Sequence, residues 1–426
     1  MSEDRAVDAV WMELDELYHI VERVDRDGIA TISASEIKQV YEPRLATKFD
    51  HRSQLPSLFA NERLSILPLT RGTYAIGRFS AYSQVDTDYT QPIRIAGLPN
   101  SIESVRACDI GSEAVALNLA YSSGILGSFL GEDELWPTVS GRQSSGSFGF
   151  DIGLEGGSTT WLEVENAQME IDAGYESAQS LVLVEAKLHL CDDFLVRQLY
   201  YPYRAWSAKM GKPVRTVFLV YANKTYFLYE YAFSDMSRYD SAYLIAFARY
   251  SFEPTAIDFS ELEALCRATP TRLEPDVPFP QANSLDRVLN LCEQLASEDR
   301  DREEISDIYD FVGRQADYYV AAARYLGLAR KTGSGTVELT AQGKNYLSLG
   351  YRDSRLNVCE LLFEHAAFAQ AFLLYARNKA MPSDAELARI VSQHTRYGEA
   401  TAQRRASTLK NWLRWIVQLT EQSTTV

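Results

Sequence analysis

Long apolar runs are missing. No stretch of the 426 residues approaches the roughly 20 apolar positions a membrane-spanning helix needs. The opening MSEDRAVDAV has neither the basic nor the apolar region of a secretory signal, so a cytoplasmic protein with no membrane contact is the expectation. Cysteine is scarce: Cys108, Cys191, Cys266, Cys292 and Cys359 are odd in number, scattered and without a CxxC pair, which excludes a disulfide framework and gives no zinc pattern. Histidine is equally scarce, at five, so any metal is expected to be a hard, oxygen-bound one. His51 in KFDHRSQLP reads as a lone structural histidine, and no Gly-x-Ser-x-Gly is present. GLEGGSTT lacks the Gly-Lys-Ser/Thr of a phosphate loop, so no nucleotide cofactor is expected. Positive charge is also in deficit. The net charge of −16 argues against a polyanionic partner unless cations cluster locally.

They do cluster. RYGEATAQRRASTLKNWLRW, residues 396–415, carries five Arg or Lys against one Glu. The chain is 46% hydrophobic, enough for a sizeable core, and its length suits two or three domains. Residues 1–95 open with an amphipathic stretch, AVDAVWMELDELYHIVERV, ended by Asp27-Gly28. A capping-box spacing from Ser33 to Glu36 and the strand-like RLSILPLTRGTYAIGRFSAY follow. Strand signals then dominate to about residue 253. Gly- and Ser-rich loops, including candidate recognition loops at 139–160, interrupt them. CDDFLVRQLYYPYRAWSAKMG reads as a helix with Asp192 or Asp193 as N-cap, a kink at Pro202 and Gly211 past its end. Asn223-Lys224 marks a turn between two strands. Residues 253–284 hold five of the 14 prolines, so a linker is placed in their second half. The division is 1–95, 96–270 and 271–426, the last mostly helical.

The strand LVLVEAKLHL, residues 181–190, places Glu185 and Lys187 on one face with Leu181 and Leu183, against Val182, Val184, Ala186 and Leu188 on the other. Upstream, QMEIDAGYES puts Gln168, Glu170 and Asp172 on one face. An antiparallel hairpin would bring Asp172 to Glu185 and Lys187. Two carboxylates, a backbone carbonyl and waters suit Mg²⁺, which holds phosphate and lowers the pKa of a bound water; a lysine adds positive charge where a phosphorane gains negative charge. Phosphodiester hydrolysis needs that set. A strand-end ion pair is the plain structural alternative.

The run IDAGYESAQSLVLVEAKLHLCDDFLVRQLYYPYRAW resembles the PD-(D/E)xK nuclease superfamily in its order: an acidic residue on one strand, Glu-Ala-Lys at the end of the next, then a helix with Gln-x-x-Tyr. It is most similar to the type II restriction endonucleases of that superfamily, chiefly over residues 165–232. The resemblance implies catalytic roles for Asp172, Glu185 and Lys187, with Asp172 and Glu185 as Mg²⁺ ligands. Ile171 stands where the family name has proline, which makes Glu170 and Glu176 rival carboxylates. Gln198 and Tyr201 resemble residues that some members place near the active site; a helix face packed on the sheet is the other reading. Arg197 and Arg204 either reach phosphate or solvate their helix.

EEISDIYDFVGRQADYYVAAARYLGLARKTGSGTVELTAQGKNYL reads as helix, turn, helix, then a hairpin around Gly333-Ser334-Gly335. That order is similar to a winged helix, with Arg314, Gln315 and Tyr318 near the start of the second helix, where such domains read base edges; winged helices also mediate protein contacts. In the basic stretch, Trp412, Trp415 and Ile416 form an apolar stripe, while Arg404, Arg405 and Lys410 are candidates for phosphate contact. The expected architecture is an α/β, restriction-endonuclease-like mixed sheet flanked by helices. It lies between an N-terminal α+β domain with possible DNA contacts and a winged-helix-like C-terminal domain. The expected activity is Mg²⁺-dependent, sequence-specific cleavage of double-stranded DNA in host defence, with 5′-phosphate and 3′-hydroxyl ends as the resemblance implies. A homodimer would cut both strands of a palindrome. A DNA-binding regulator with an inactive nuclease-like core and a structure-specific repair nuclease are the alternatives.

Overall fold

The computed structural model describes residues 6–105, 110–309 and 315–421; Cys108 and Arg314 lie outside them. Seven strands form the central sheet: Ile93–Ile95 (β1), Trp136–Ser144 (β2), Gln168–Glu176 (β3), Leu181–Lys187 (β4), Val214–Ala222 (β5), Thr225–Phe233 (β6) and Ala242–Ser251 (β7). Their spatial order is β1-β7-β6-β5-β4-β3-β2. β4 pairs parallel with β5, and β7 parallel with β1; the remaining pairs are antiparallel. The sheet is mixed, as the α/β expectation requires. Asn223 and Lys224, both at positive φ (55° and 62°), make the tight turn between β5 and β6.

β4 lies inside the sheet, between β5 and β3, and is buried along its whole length. That explains why it reads as an almost continuous apolar run. Leu181 and Leu183 enter one hydrophobic cluster, and Val182, Val184 and Ala186 enter another on the opposite face. Helices Glu113–Ser122 (α1) and Ile125–Leu130 (α2) cover the second face. Helix Arg197–Ser207 (α3) covers the first and forms the crossover between parallel β4 and β5.

The N-terminal region packs on the same face as α3. Its helices Ala6–Tyr18 and Ile20–Asp27 break at His19 (φ 51°), and Gly28 (φ 78°) ends the second, where Asp27-Gly28 signalled a stop. Ser33 and Glu36 make the anticipated capping box. Trp11 and Phe59 meet edge to face at 4.6 Å, and the surrounding cluster runs without interruption into the sheet core. One detail departs from expectation. α3 begins at Arg197 behind Val196, with no side-chain cap, while Asp193 lies in a short strand, Asp193–Leu195, paired with Tyr82–Gln84. Asp193 is buried, and one of its carboxylate oxygens accepts the Arg52 backbone N–H at 3.2 Å. It therefore ties the N-terminal region to the core and does not cap the helix. Residues 139–160, expected as loops, belong mostly to β2 and to a hairpin of Ser147–Gly153 with Thr159–Glu165.

From Ile257 onward the chain builds a separate, mostly helical cluster. Helices Arg302–Tyr309 and Gln315–Tyr325 precede a small hairpin, Ala329–Lys331 with Val337–Leu339, in the order the sequence suggested. No helix among the described residues is long and apolar enough to cross a membrane.

Candidate active site

β3 and β4 pair with Val184 opposite Ala173, which carries Asp172 to the end of β4 where Glu185 stands. The Asp172 Oδ2 accepts the Ala186 backbone N–H at 2.8 Å, so the carboxylate is fixed against the neighbouring strand. Glu185 Oε1 accepts Lys187 Nζ at 2.6 Å and Gln198 Nε2 at 2.5 Å. Gln198 comes from the first turn of α3, so the crossover helix holds the carboxylate that β4 presents. Both Glu185 and Lys187 are only 7% exposed. The strand-end ion pair of the structural alternative is therefore present, and it is buried.

Two further carboxylates approach this point. Asp50 arrives from the N-terminal region and Glu113 from the first turn of α1, and both line the same cleft. Burial pushes the Glu185 carboxyl up to about 8; Lys187 opposes that rise, while Asp172 and Asp50 add to it. Burial works against the Lys187 charge, but Glu185, Asp50 and Glu113 outweigh it and hold the ammonium protonated. Burial also raises Glu113. Asp50 goes the other way: burial alone would raise it, yet Lys187, Lys48 and Arg197 hold it below its ordinary value. The group is thus one electrostatic unit of alternating sign.

Asp50 and Glu113 went unnoticed in the sequence because their nearness to β4 is tertiary. The sole local sign of Glu113 is its place behind Ser112, whose hydroxyl accepts from Val115 N and caps α1. His51, read as a lone histidine, is buried beside Asp193 and meets His189 edge to face at 5.5 Å. Burial, then His51 and Lys187, keeps His189 neutral.

The site opens on a cleft of about 1130 Å³. Its floor is the end of β3 and β4. Its N-terminal wall carries Lys38, Arg44, Lys48 and Arg71, all exposed. Lys48 pairs with Asp50 at 3.7 Å, whereas Lys38, Arg44 and Arg71 have no ion-pair partner among the described residues. Elsewhere cations are commonly paired, as Arg215 is with Glu132 and Glu230, or Arg352 with Glu261.

The other candidates divide. Glu170 lines the cleft, exposed and 3.6 Å from Arg142, so it stays near the site. Glu176 stands at the far end of β3 and pairs with Lys212 at 2.6 Å. Tyr201 is buried and donates to Pro68 O at 2.9 Å, fastening α3 to the N-terminal hairpin. Arg197 lines the cleft and lies over the Tyr201 ring, while Arg204 donates to Gly149 O and Met236 O. Gln315 is exposed at the start of its helix, and Tyr318 is half-buried three residues on. Arg404 is exposed, Arg405 stacks on Tyr397, and Lys410 pairs with Asp384 at 2.7 Å. None of these five C-terminal residues lines the cleft.

Does the donor set suit Mg²⁺? Among the described residues no cluster of three or more His, Cys, Asp or Glu is arranged to hold an ion. Asp172 Oδ1 and Glu185 Oε2 make no hydrogen bond there, which leaves one oxygen on each carboxylate turned to a metal's use. A two-carboxylate site completed by water and substrate oxygen is the ordinary way of binding Mg²⁺. The residues fit that pattern.

Three families match the chain in succession: Domain of unknown function (DUF6996) over residues 8–76, Domain of unknown function (DUF6997) over 77–251 and Domain of unknown function (DUF7226) over 287–421. None of the three descriptions names an activity. No curated protein and no solved structure matches the chain.

Proposed function

We propose that this chain is a Mg²⁺-dependent endonuclease of double-stranded DNA, of the type II restriction class within the PD-(D/E)xK superfamily. The observation that carries the reading is the meeting of Asp172, Glu185 and Lys187 at one buried point that opens on a cleft. The acidic strand, the Glu-Ala-Lys strand and the helix with Gln198 occupy the order on which the resemblance rests, and the helix reaches back to Glu185.

The division of labour follows from the geometry. Asp172, oriented by the Ala186 N–H, and Glu185, oriented by Gln198, would hold the cation. Bound there, Mg²⁺ supplies charge to the phosphate and acidifies the attacking water. Lys187 keeps its proton and presents an ammonium to the scissile phosphate. With most of its surface out of water, each charge acts through a weaker dielectric screen. Lys38, Arg44 and Arg71 line the entrance as cations with no carboxylate paired to them among the described residues, and they are the phosphate contacts we assign to DNA passing over the site. The protein's acidic total is no obstacle, because these cations face the cleft together. The winged-helix-like segment with Gln315 and Tyr318 adds contacts outside the cleft, and a homodimer supplies the second site for the second strand.

Supercoiled plasmid incubated with the protein and Mg²⁺ decides among the readings. Discrete linear fragments are the expected result. Retained binding without any cutting would instead mark a DNA-binding regulator, and cutting confined to branched or damaged DNA a repair nuclease.

A further inference from the structure

Between β4 and Asp193 the chain belongs to no strand among the described residues, yet its backbone is held. Helix Leu285–Gln294, from the C-terminal region, lays one polar face along residues 188–192. Arg287, Asn290 and Gln294 fall three and four residues apart, so they share that face. Arg287 pairs with Asp192 at 2.7 Å. Asn290, fully buried, accepts the Leu190 N–H at 3.4 Å and donates to Leu188 O at 3.2 Å; Gln294 donates to the same carbonyl at 2.9 Å. Asn290 is itself locked, because its amide N–H reaches Glu293 at 2.9 Å and its oxygen accepts Tyr309 Oη at 3.0 Å.

We infer that Asn290 and Gln294 are positioning residues for the catalytic strand, through which the C-terminal region holds Lys187 and Glu185 in register with the scissile phosphate. The inference rests on the nuclease reading of the cleft. The amide of Asn290 imitates a neighbouring strand, offering one acceptor and one donor to the backbone two residues apart. Without it Leu190 N loses its protein partner at a half-buried place and Leu188 O keeps only the bond from Gln294, so the strand end that carries Lys187 is held less firmly. A displacement of about 1 Å at reacting groups costs on the order of 100-fold in rate. The same helix belongs to the C-terminal region, so the placement of that region bears directly on the catalytic lysine.

The test uses the full chain with single-turnover cleavage at saturating protein, hydrogen exchange at residues 188–192, and thermal melting. Gln294→Ala, at a partly exposed position, keeps the fold, and Asn290→Ala removes both backbone contacts. Both are expected to speed exchange at these amides and to slow cleavage, about 10-fold for Gln294→Ala and about 100-fold for Asn290→Ala, with DNA affinity unchanged. A merely structural role would lower the melting temperature and leave the single-turnover rate of the folded protein alone. Full-rate cleavage by both variants overturns the inference while the nuclease reading stands. A wild-type protein that cuts no DNA overturns both.

Discussion

Two clusters of buried charge sit at the same end of the sheet, where parallel β4 and β5 finish, and they are built to different purposes. One is Asp172, Glu185, Lys187, Asp50 and Glu113 on the cleft of about 1130 Å³. The other lies where the β5–β6 turn meets the C-terminal helices, around a void of about 30 Å³. There Arg355, 3% exposed, donates to Asn223 O at 2.7 Å and lies over the rings of Tyr351 and Trp415. Asp286 accepts from Trp415 Nε1 at 2.9 Å, and Glu293 from the Asn223 N–H at 2.7 Å. Asp286 and Glu293 each give one oxygen to protein donors, in a junction with room for little more than a water. In the first, Asp172 and Glu185 likewise each give one oxygen to protein donors, but they line a cleft with room for a cation and a phosphate. Burying charge costs several kcal/mol per ion in either cluster. The junction recovers that cost in adhesion. The cleft leaves part of it unrecovered, to be met by a cation and a phosphate.

The largest separation should come from Lys187→Ala. Cleavage is expected to fall by about 10³-fold or more at saturating DNA, because the ammonium acts only where negative charge develops. Stability of the metal-free protein should change little at neutral pH, since Glu185, raised to about 8, already holds a proton there and is left neutral once its partner is gone. Single-turnover rates and melting curves check both halves. Arg355→Met should do the reverse. Leaving Asp286 buried without its nearby cation is expected to cost about 3–5 kcal/mol of stability by denaturant titration, while folded protein still cuts. If Arg355→Met abolished cleavage without loosening the fold, the junction would be functional and the contrast would fail.

Acidity provides a finer probe. The Glu185 carboxyl rises from an ordinary 4.5 to about 8, so between those values the metal-free folded protein holds a proton that the unfolded chain has lost. Its contribution is fully present below about 4.5, declines as pH rises, and is lost above about 8. The melting temperature of the metal-free protein should therefore fall across that window, and Glu185→Gln should flatten the fall.

The smallest effect concerns which cations meet phosphate. Neutralising Lys38, Arg44 and Arg71 should lower the salt slope of DNA binding by about 0.9 per lost contact. Neutralising Arg404, Arg405 and Lys410 should change it less, because Lys410 is paired with Asp384 and Arg405 stacks on Tyr397. Equal slopes for the two sets would remove the cleft wall from the DNA path.

Local chemistry proved legible and long-range chemistry did not. The alternation in LVLVEAK places Glu185 and Lys187 correctly, the antiparallel pairing with Asp172 follows from the spacing, and the Ser33 capping box and the Asn223-Lys224 turn are where their residue types put them. Asp193 misled, because an acidic residue before a helix looks like a cap whether or not the chain is extended there; its real partners, Arg52 and His51, are distant in sequence. Asp50, Glu113 and the grip of Asn290 on Leu188 and Leu190 were invisible for the same reason: each depends on a separate element folding back onto β4.

Cleavage and binding measured together on Asp172→Ala and Glu185→Ala test the central claim most directly. In Mg²⁺, both variants should bind duplex DNA at least as tightly as wild type, since each removes a negative charge from a phosphate's path, yet cut it more than about 10³-fold more slowly. Wild-type cleavage by either variant would contradict the account, for that carboxylate would then have no part in the chemistry.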